Sequence, residues 1–133
     1  MISGNGRFAH PCPGYTYISS EFGWRPRPIP GASSNHKGMD FAAGTGTPIY
    51  AADSGRVIQA SYSGNAGNLV IIDHGGGLQT YYMHTNQMFV RAGQTVSKGD
   101  NIATVGNTGN SSGPHLHFQV MQNGTPVNPR NFL

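Results

Sequence analysis

The sequence has little of what marks several large protein classes. Its one cysteine, Cys12, excludes a disulfide within the chain. No stretch approaches the ~20 apolar residues that cross a bilayer, so we expect no membrane span. Residues 1–6 are polar and glycine-rich and do not resemble a signal peptide. His10 and Cys12 lack the second ligand pair of a closed zinc site, which favours Cys12 as a packed residue.

Charge is also scarce, at 10% of residues, and the basic side chains are scattered. Eight Lys and Arg against five Asp and Glu give a net charge of +3 and a pI near 9.3. There is no basic run and no interleaving of basic and aromatic residues, so we expect no nucleic-acid partner. The small excess is consistent with mild attraction to an acidic surface and equally with an ordinary solvated surface.

Glycine and proline, by contrast, are abundant, with 20 and 9 residues respectively. They interrupt nearly every window, and the longest stretch without either is 78–92. Long helices are therefore excluded, and a turn-dense all-β fold with little or no helix is favoured. At 133 residues the chain is long enough for one domain and too short for two ordinary ones, so we expect a single domain over 1–133. We also expect it to be a monomer.

Runs of strand-forming residues between turn signals predict an antiparallel sheet, as a sandwich or an open barrel-like core. Gly75 to Gly77 predict a hairpin loop, and Asn123-Gly124 predicts a type I′ turn. Residues 25–31 contain three prolines and are expected to form a rigid surface loop at the wall of a cleft. The predicted strands are 15–20, 48–51, 56–62, 68–73, 78–84, 101–105, 115–122 and 125–127.

The segment His115-Leu116-His117-Phe118-Gln119 is the most informative for chemistry. Because alternate side chains of a strand share a face, Leu116 and Phe118 are expected in the core. His115, His117 and Gln119 then point the other way, with the two imidazoles side by side. Paired histidines at the mouth of a sheet favour metal binding or catalysis over a packing role.

A second cluster places His36 and Asp40 four residues apart, a spacing that returns both side chains to one side of the chain. Together with one histidine of the pair above they form a three-ligand set, which leaves the fourth tetrahedral position of zinc open for water. The other aspartates, Asp53, Asp73 and Asp100, stand at turn positions where they bond nearby backbone.

Acid–base work falls to histidine, because the only glutamate is Glu21 and there is no His-Glu-x-x-His motif. The candidates are His84 and whichever of His115 and His117 does not hold the metal. Tyr82 is expected to share a strand face with His84 and is a candidate hydroxyl donor near the site, although packing is the favoured role. For His74 we expect a surface or turn-bonding role.

Taken together, these residues resemble the lysostaphin-type (LytM-type) zinc endopeptidases over almost the whole chain. The shared motifs occur in one order, which makes a chance match improbable. They are residues 20–25 (SEFGWR), 36–40 (HKGMD), 44–52 (GTGTPIYAA), 82–84 (YMH), 106–109 (GNTG) and 112–117 (SGPHLH).

The resemblance implies one zinc ion held by His36, Asp40 and His117, with His84 and His115 as the catalytic pair. It implies an antiparallel β-sheet with a loop-walled groove, and hydrolysis of peptidoglycan peptides at stem cross-links or glycine-rich bridges. The expected location is extracellular, in the cell wall or periplasm, or on a virion. A phage lysin domain and an excised bacterial autolysin domain both remain open.

Two rival interpretations belong to other classes. One is an inactive relative that binds wall or activates an amidase, and the presence of all five site residues argues against it. The other follows from residues 91–102, which also resemble the barrel of biotinyl or lipoyl carrier domains. Carriers need a modified lysine at a hairpin tip, whereas Lys98 is predicted in a turn before the next strand.

Overall fold

The structure, a computed structural model, describes residues 8–24, 35–109, 111 and 113–133. Within these ranges it consists mostly of β-strands, with two single 3₁₀ turns at Gly64–Ala66 and Pro129–Asn131. The predicted loop at 25–31 lies outside the described residues. The strands are β1 Tyr17–Ser20, β2 Gly23–Trp24, β3 Asn35–His36, β4 Met39–Ala42, β5 Pro48–Tyr50, β6 Gly55–Tyr62, β7 Asn68–Gly75, β8 Leu78–Met88, β9 Thr95–Val96, β10 Asn101–Val105, β11 His115–Gln122 and β12 Thr125–Val127.

Ten of these strands form one sheet, in which every pairing is antiparallel. Seven strands follow one another in the order β1-β4-β11-β8-β7-β6-β9. Strand β10 pairs with β5 and β8, β12 pairs with β11, and β2 and β3 form a separate pair. The predicted all-β antiparallel fold class is therefore confirmed.

The core lies on one face of the central strands. In β11, Leu116, Phe118 and Val120 are fully buried, whereas His115 and His117 are half-buried on the opposite face, as the alternation predicts. Cys12 is also fully buried, and burial raises the pKa of its thiol to about 11, as expected of a packed residue. The sheet thus has one packed face and one face that presents histidine.

The predicted turns are confirmed. Strands β7 and β8 join through Gly76-Gly77, and at the β11–β12 turn Asn123 and Gly124 both have positive φ, 52° and 81°, as a type I′ turn requires. The three turn aspartates accept backbone hydrogen bonds as expected: Asp53 from Ser54, Asp73 from Gly75 and Asp100 from Ser97.

The four short strands β2, β3, β4 and β9 are absent from the sequence prediction. Strand β4 matters most, because it contains Asp40 and pairs with β11. The run of four residues is short and directly follows Gly38, so the sequence alone gives no clear strand signal there. Lys98 lies between β9 and β10 with its ammonium 3.9 Å from Asp53, in the turn expected and not at a hairpin tip.

A β-bulge in β8 turns His84 toward the open face. Opposite Leu69 of β7, strand β8 has two residues, Met83 and His84, and His84 has a positive φ of 65°. The extra residue breaks the alternation, so His84 lies beside the rings of His115 and His117 and not on the face of Tyr82.

Tyr82 is consequently a core residue, which confirms the favoured packing role and excludes the alternative of a hydroxyl donor near the site. Its side chain is fully buried, and its hydroxyl accepts a hydrogen bond from the Ala52 amide at 3.0 Å. It also lies 2.8 Å from Thr80 Oγ1, which in turn lies 2.8 Å from His74 Nε2. The hydroxyl therefore closes a polar chain inside the sheet.

His74 ends that chain, so the expected surface position is wrong. Its side chain is only 2% exposed, and its Nδ1 donates to the Ser54 carbonyl at 2.9 Å. The ring of Phe8 lies 5.6 Å away and covers it. The position of His74 at a hairpin end predicts an exposed side chain, but the segment that contains Phe8, distant in sequence, packs over the hairpin.

Among the residues that the structure describes, no helix has the length and apolarity needed to cross a membrane.

Tyr82→Phe should lower the free energy of unfolding by about 1–3 kcal/mol, because the Ala52 amide and Thr80 then lose a buried partner. Urea denaturation measures this. Tyr62→Phe, at an exposed tyrosine, is the matched control and should change stability by less than about 0.5 kcal/mol. Equal effects of the two substitutions would contradict a structural role for the Tyr82 hydroxyl.

Candidate metal centre

The register of β4 against β11 brings together the predicted ligands. Asp40 lies directly opposite His117, whose Nδ1 is 2.8 Å from Asp40 Oδ1. His36, at the end of β3, approaches from the other side, with Nε2 3.4 Å from Asp40 Oδ2. All three side chains are half-buried, so they remain open to a ligand from solvent.

The donor set fits a zinc ion. One ligand atom from each of His36, Asp40 and His117 lies within 4.8 Å of the others. Zinc bonds to imidazole nitrogen and carboxylate oxygen are about 2.0–2.2 Å, which puts neighbouring donors about 3.4 Å apart in tetrahedral geometry. The 3.4 Å between His36 and Asp40 already matches this spacing. Two imidazoles and one carboxylate leave one tetrahedral position unfilled by protein.

Gly38 lets the two ligand segments approach each other. A Cβ at this position would lie 2.5 Å from the Phe118 carbonyl oxygen and 2.9 Å from His117 Nε2. Both atoms belong to β11, and the carbonyl cannot move without disturbing the sheet. The glycine between His36 and Asp40 is therefore required by close packing against the third ligand.

Two further histidines border the ligand set. His115 lies two residues before His117 on the same face, with Nε2 3.8 Å from Asp40 Oδ1. The ring of His84 is tilted by 47° against that of His115 at a centroid distance of 4.9 Å, and it lies 6.3 Å from the ring of His117. The structure thus brings all five predicted site residues into one cluster, and their individual roles remain predictions.

Backbone carbonyl oxygens orient three of the four site histidines. A carbonyl only accepts, so each of these rings carries its proton on Nδ1 and presents an unprotonated Nε2 when neutral. The three pairs are His36 with Glu21 at 2.8 Å, His84 with Thr108 at 2.7 Å and His115 with Gly113 at 2.8 Å. The carbonyls are the main feature that sequence reasoning missed, because no side chain marks them.

The electrostatics of the cluster favour a charged carboxylate at Asp40 and a neutral imidazole at His84. Burial alone would raise the pKa of Asp40, but its contacts with the imidazoles of His117 and His36 outweigh burial and hold that pKa well below its ordinary value. Burial lowers the pKa of His84, against the opposing effect of the Thr108 carbonyl. Neutral imidazole is the form that binds metal or accepts a proton.

Open space flanks the cluster on both sides. One groove, of about 390 Å³, runs from Tyr17 and Ser19 past Asp40 to His115. A second, of about 380 Å³, is bordered by Asn65, Met83, His84 and His117. Asp40 and His115 line the first groove, and His84 and His117 line the second, so both grooves reach the cluster.

Comparison with known proteins follows the same lines. The model of the family described as Peptidase family M23 matches residues 34–129, which include all five site residues. The chain belongs to peptidase family M23. The sequence resemblance to lysostaphin-type peptidases is thereby confirmed.

The relatives of this family member include a curated protein and solved structures. Peptidoglycan DD-endopeptidase ShyA of Vibrio cholerae is 42% identical over 112 residues, which cover 84% of this chain and 26% of ShyA. A zinc containing peptidase from Vibrio cholerae matches with a TM-score of 0.83 and 37% identity, over 95% of this chain and 39% of that one. The catalytic domain of lysostaphin from Staphylococcus simulans matches with a TM-score of 0.77 and 34% identity, over 89% and 91%.

The chain spans about a quarter of the length of the curated relatives it matches. The family and the fold are therefore those of the matched region.

Gly67→Ala should disturb the site from a distance. A Cβ on Gly67 would lie 2.4 Å from the carbonyl carbon of Thr108, whose oxygen orients His84. We expect a loss of about 1–3 kcal/mol in unfolding free energy and loss of the His84 Nδ1–H signal in imidazole NMR spectra. Gly64→Ala is the control, because Gly64 also has a positive φ but has open space at its Cβ. A Gly67→Ala protein with that signal unchanged would contradict the packing argument.

Proposed function

We propose that this chain is a zinc-dependent endopeptidase that hydrolyses peptide bonds of bacterial peptidoglycan, either stem-peptide cross-links or glycine-rich bridges. The observation that carries the proposal is the cluster itself. Three candidate ligands, His36, Asp40 and His117, lie beside the buried His84 and the half-buried His115, and two grooves border the cluster. Family membership and the endopeptidase activity in the name of ShyA support it.

In this proposal His36, Asp40 and His117 hold one zinc ion per chain, as their donor set fits. A zinc ion held by these residues would lower the pKa of its bound water toward ~7 and would polarise the scissile carbonyl. The charged carboxylate of Asp40 offsets part of the positive charge. The half-buried position of the ligands leaves room for both water and substrate.

His84 and His115 handle protons. Both carry the ring proton on Nδ1, because that nitrogen donates to a carbonyl, so Nε2 is the nitrogen that accepts a proton from the attacking water. Once protonated, the same Nε2 donates to the leaving amine or to the developing oxyanion. His115 Nε2 lies 3.8 Å from Asp40 Oδ1, directly beside the proposed ligand set.

The grooves on either side fit an extended peptide, which is the form of peptidoglycan stems and bridges. The first groove is lined by small and polar residues, including Ser19, Ser20 and Ala42, with Tyr17 exposed at its edge. Residues 1–133 then constitute one catalytic domain. Since the substrate lies outside the cytoplasmic membrane, the proposal places the activity in the cell wall or periplasm, or on a virion.

Purified protein should contain about one zinc per chain and release peptide products from isolated peptidoglycan. Chelation should abolish release, and added zinc should restore it, because three protein ligands without the ion supply no activated water. Mass spectrometry of the products identifies the bond that is cut. Full hydrolysis by protein shown to be metal-free by elemental analysis would contradict the proposal.

Alanine variants should separate ligands from catalysts. His117→Ala removes a ligand, so zinc content and activity should both fall. His115→Ala and His84→Ala leave the ligand set intact, so zinc should stay near the normal amount while turnover falls by about 100-fold or more. Zinc stoichiometry and turnover are measured on the same samples. A metal-depleted His115→Ala beside a metal-replete His117→Ala would reverse the two assignments.

A further inference from the structure

His117 differs from the other site histidines in how its ring is oriented. His36, His84 and His115 each donate from Nδ1 to a backbone carbonyl. His117 instead directs Nδ1 at Asp40, and its Nε2 lies 3.0 Å from the side-chain oxygen of Gln119. We infer that Gln119 is a positioning residue, which fixes the proton of His117 on Nε2 so that Nδ1 is available to metal. The inference rests on the metal site of the proposed function.

The choice of nitrogen follows from the geometry. Nδ1 of His117 is the nitrogen on the Asp40 side, 2.8 Å from the carboxylate that forms the centre of the ligand set. When His117 binds a metal through Nδ1, its one remaining ring proton has to be on Nε2. Metal-binding histidines usually donate that proton to an acceptor, which fixes ring orientation and strengthens the ligand. Gln119 Oε1 is the acceptor at this position.

A glutamine amide can present either oxygen or nitrogen, so something has to select the oxygen. Gln119 Nε2 lies 3.1 Å from the sulfur of Met121. A thioether sulfur only accepts hydrogen bonds, so it pairs with the NH₂ group of the amide. In the opposite orientation the amide oxygen would face the sulfur and would have no donor. The oxygen is therefore directed at His117.

The strand itself aligns this chain of contacts. His117, Gln119 and Met121 are two residues apart on β11, so they share one face. Gln119 is only 8% exposed, so little water competes for its oxygen. The imidazole, the amide and the thioether thus form a short chain of contacts that leads away from the ligand set.

The test compares Gln119→Leu with Gln119→Glu. Leucine removes the acceptor, and zinc affinity, measured by competition with a chelator, should fall about 10- to 100-fold. Glutamate keeps an acceptor oxygen for His117 Nε2–H, so the zinc affinity should stay within a few-fold of the original. In zinc-loaded protein, imidazole NMR spectra should show the His117 Nε2–H as a slowly exchanging signal in the original protein and in Gln119→Glu. The same signal should be lost in Gln119→Leu.

Gln122→Leu is the matched control, because Gln122 is an exposed glutamine on the same strand. It should leave both the zinc affinity and the His117 signal unchanged. Equal zinc affinities of the original protein and Gln119→Leu would overturn the inference alone. So would a Gln119→Glu protein as weak as Gln119→Leu, since packing and not an acceptor would then explain the loss. An original protein that binds no zinc would instead overturn the proposed function, and this inference with it.

Discussion

The antiparallel pairing of β11 with β4 is the constraint on which the site depends. It places Asp40 opposite His117 on one face and buries Leu116 and Phe118 in the core on the other. A one-residue slip would exchange the two faces of β11, moving histidine into the core and phenylalanine into solvent. The apolar residues thus specify the register, and the register brings together the residues of the candidate metal centre. Core residues and candidate site residues therefore alternate along one strand.

The sequence predicts much of this because two of its signals are independent of tertiary detail. The alternation in His115 to Gln122 assigns a core face and a chemical face, and the glycine and asparagine turns set the hairpins. The spacing of His36 and Asp40 predicts their proximity without specifying a strand. Position in the chain could not predict that His74 is buried, because Phe8 covers it from a distant segment.

His84 shows where strand periodicity fails. Counting from Tyr82 gives the wrong face, because the bulge opposite Leu69 inserts one residue into the alternation. A bulge has no sequence signal here, since His84 takes a positive φ that is more typical of glycine or asparagine. The strain is a local feature at a candidate functional residue, as bulges beside active sites often are. The scarcity of glutamate already makes His84 an acid–base candidate, and the family motif agrees, although the periodicity assigns it to the wrong face.

The way in which the rings are oriented has a consequence for how the site tolerates change. A backbone carbonyl is present whatever the side chain, so single substitutions at Glu21, Thr108 or Gly113 leave the acceptor in place if the chain keeps its path. The orientation of those three histidines is therefore sensitive chiefly to insertions, deletions and loop shifts. The acceptor for His117 is a side chain, that of Gln119. His117 alone of the four can therefore lose its orientation through a point mutation that moves no backbone.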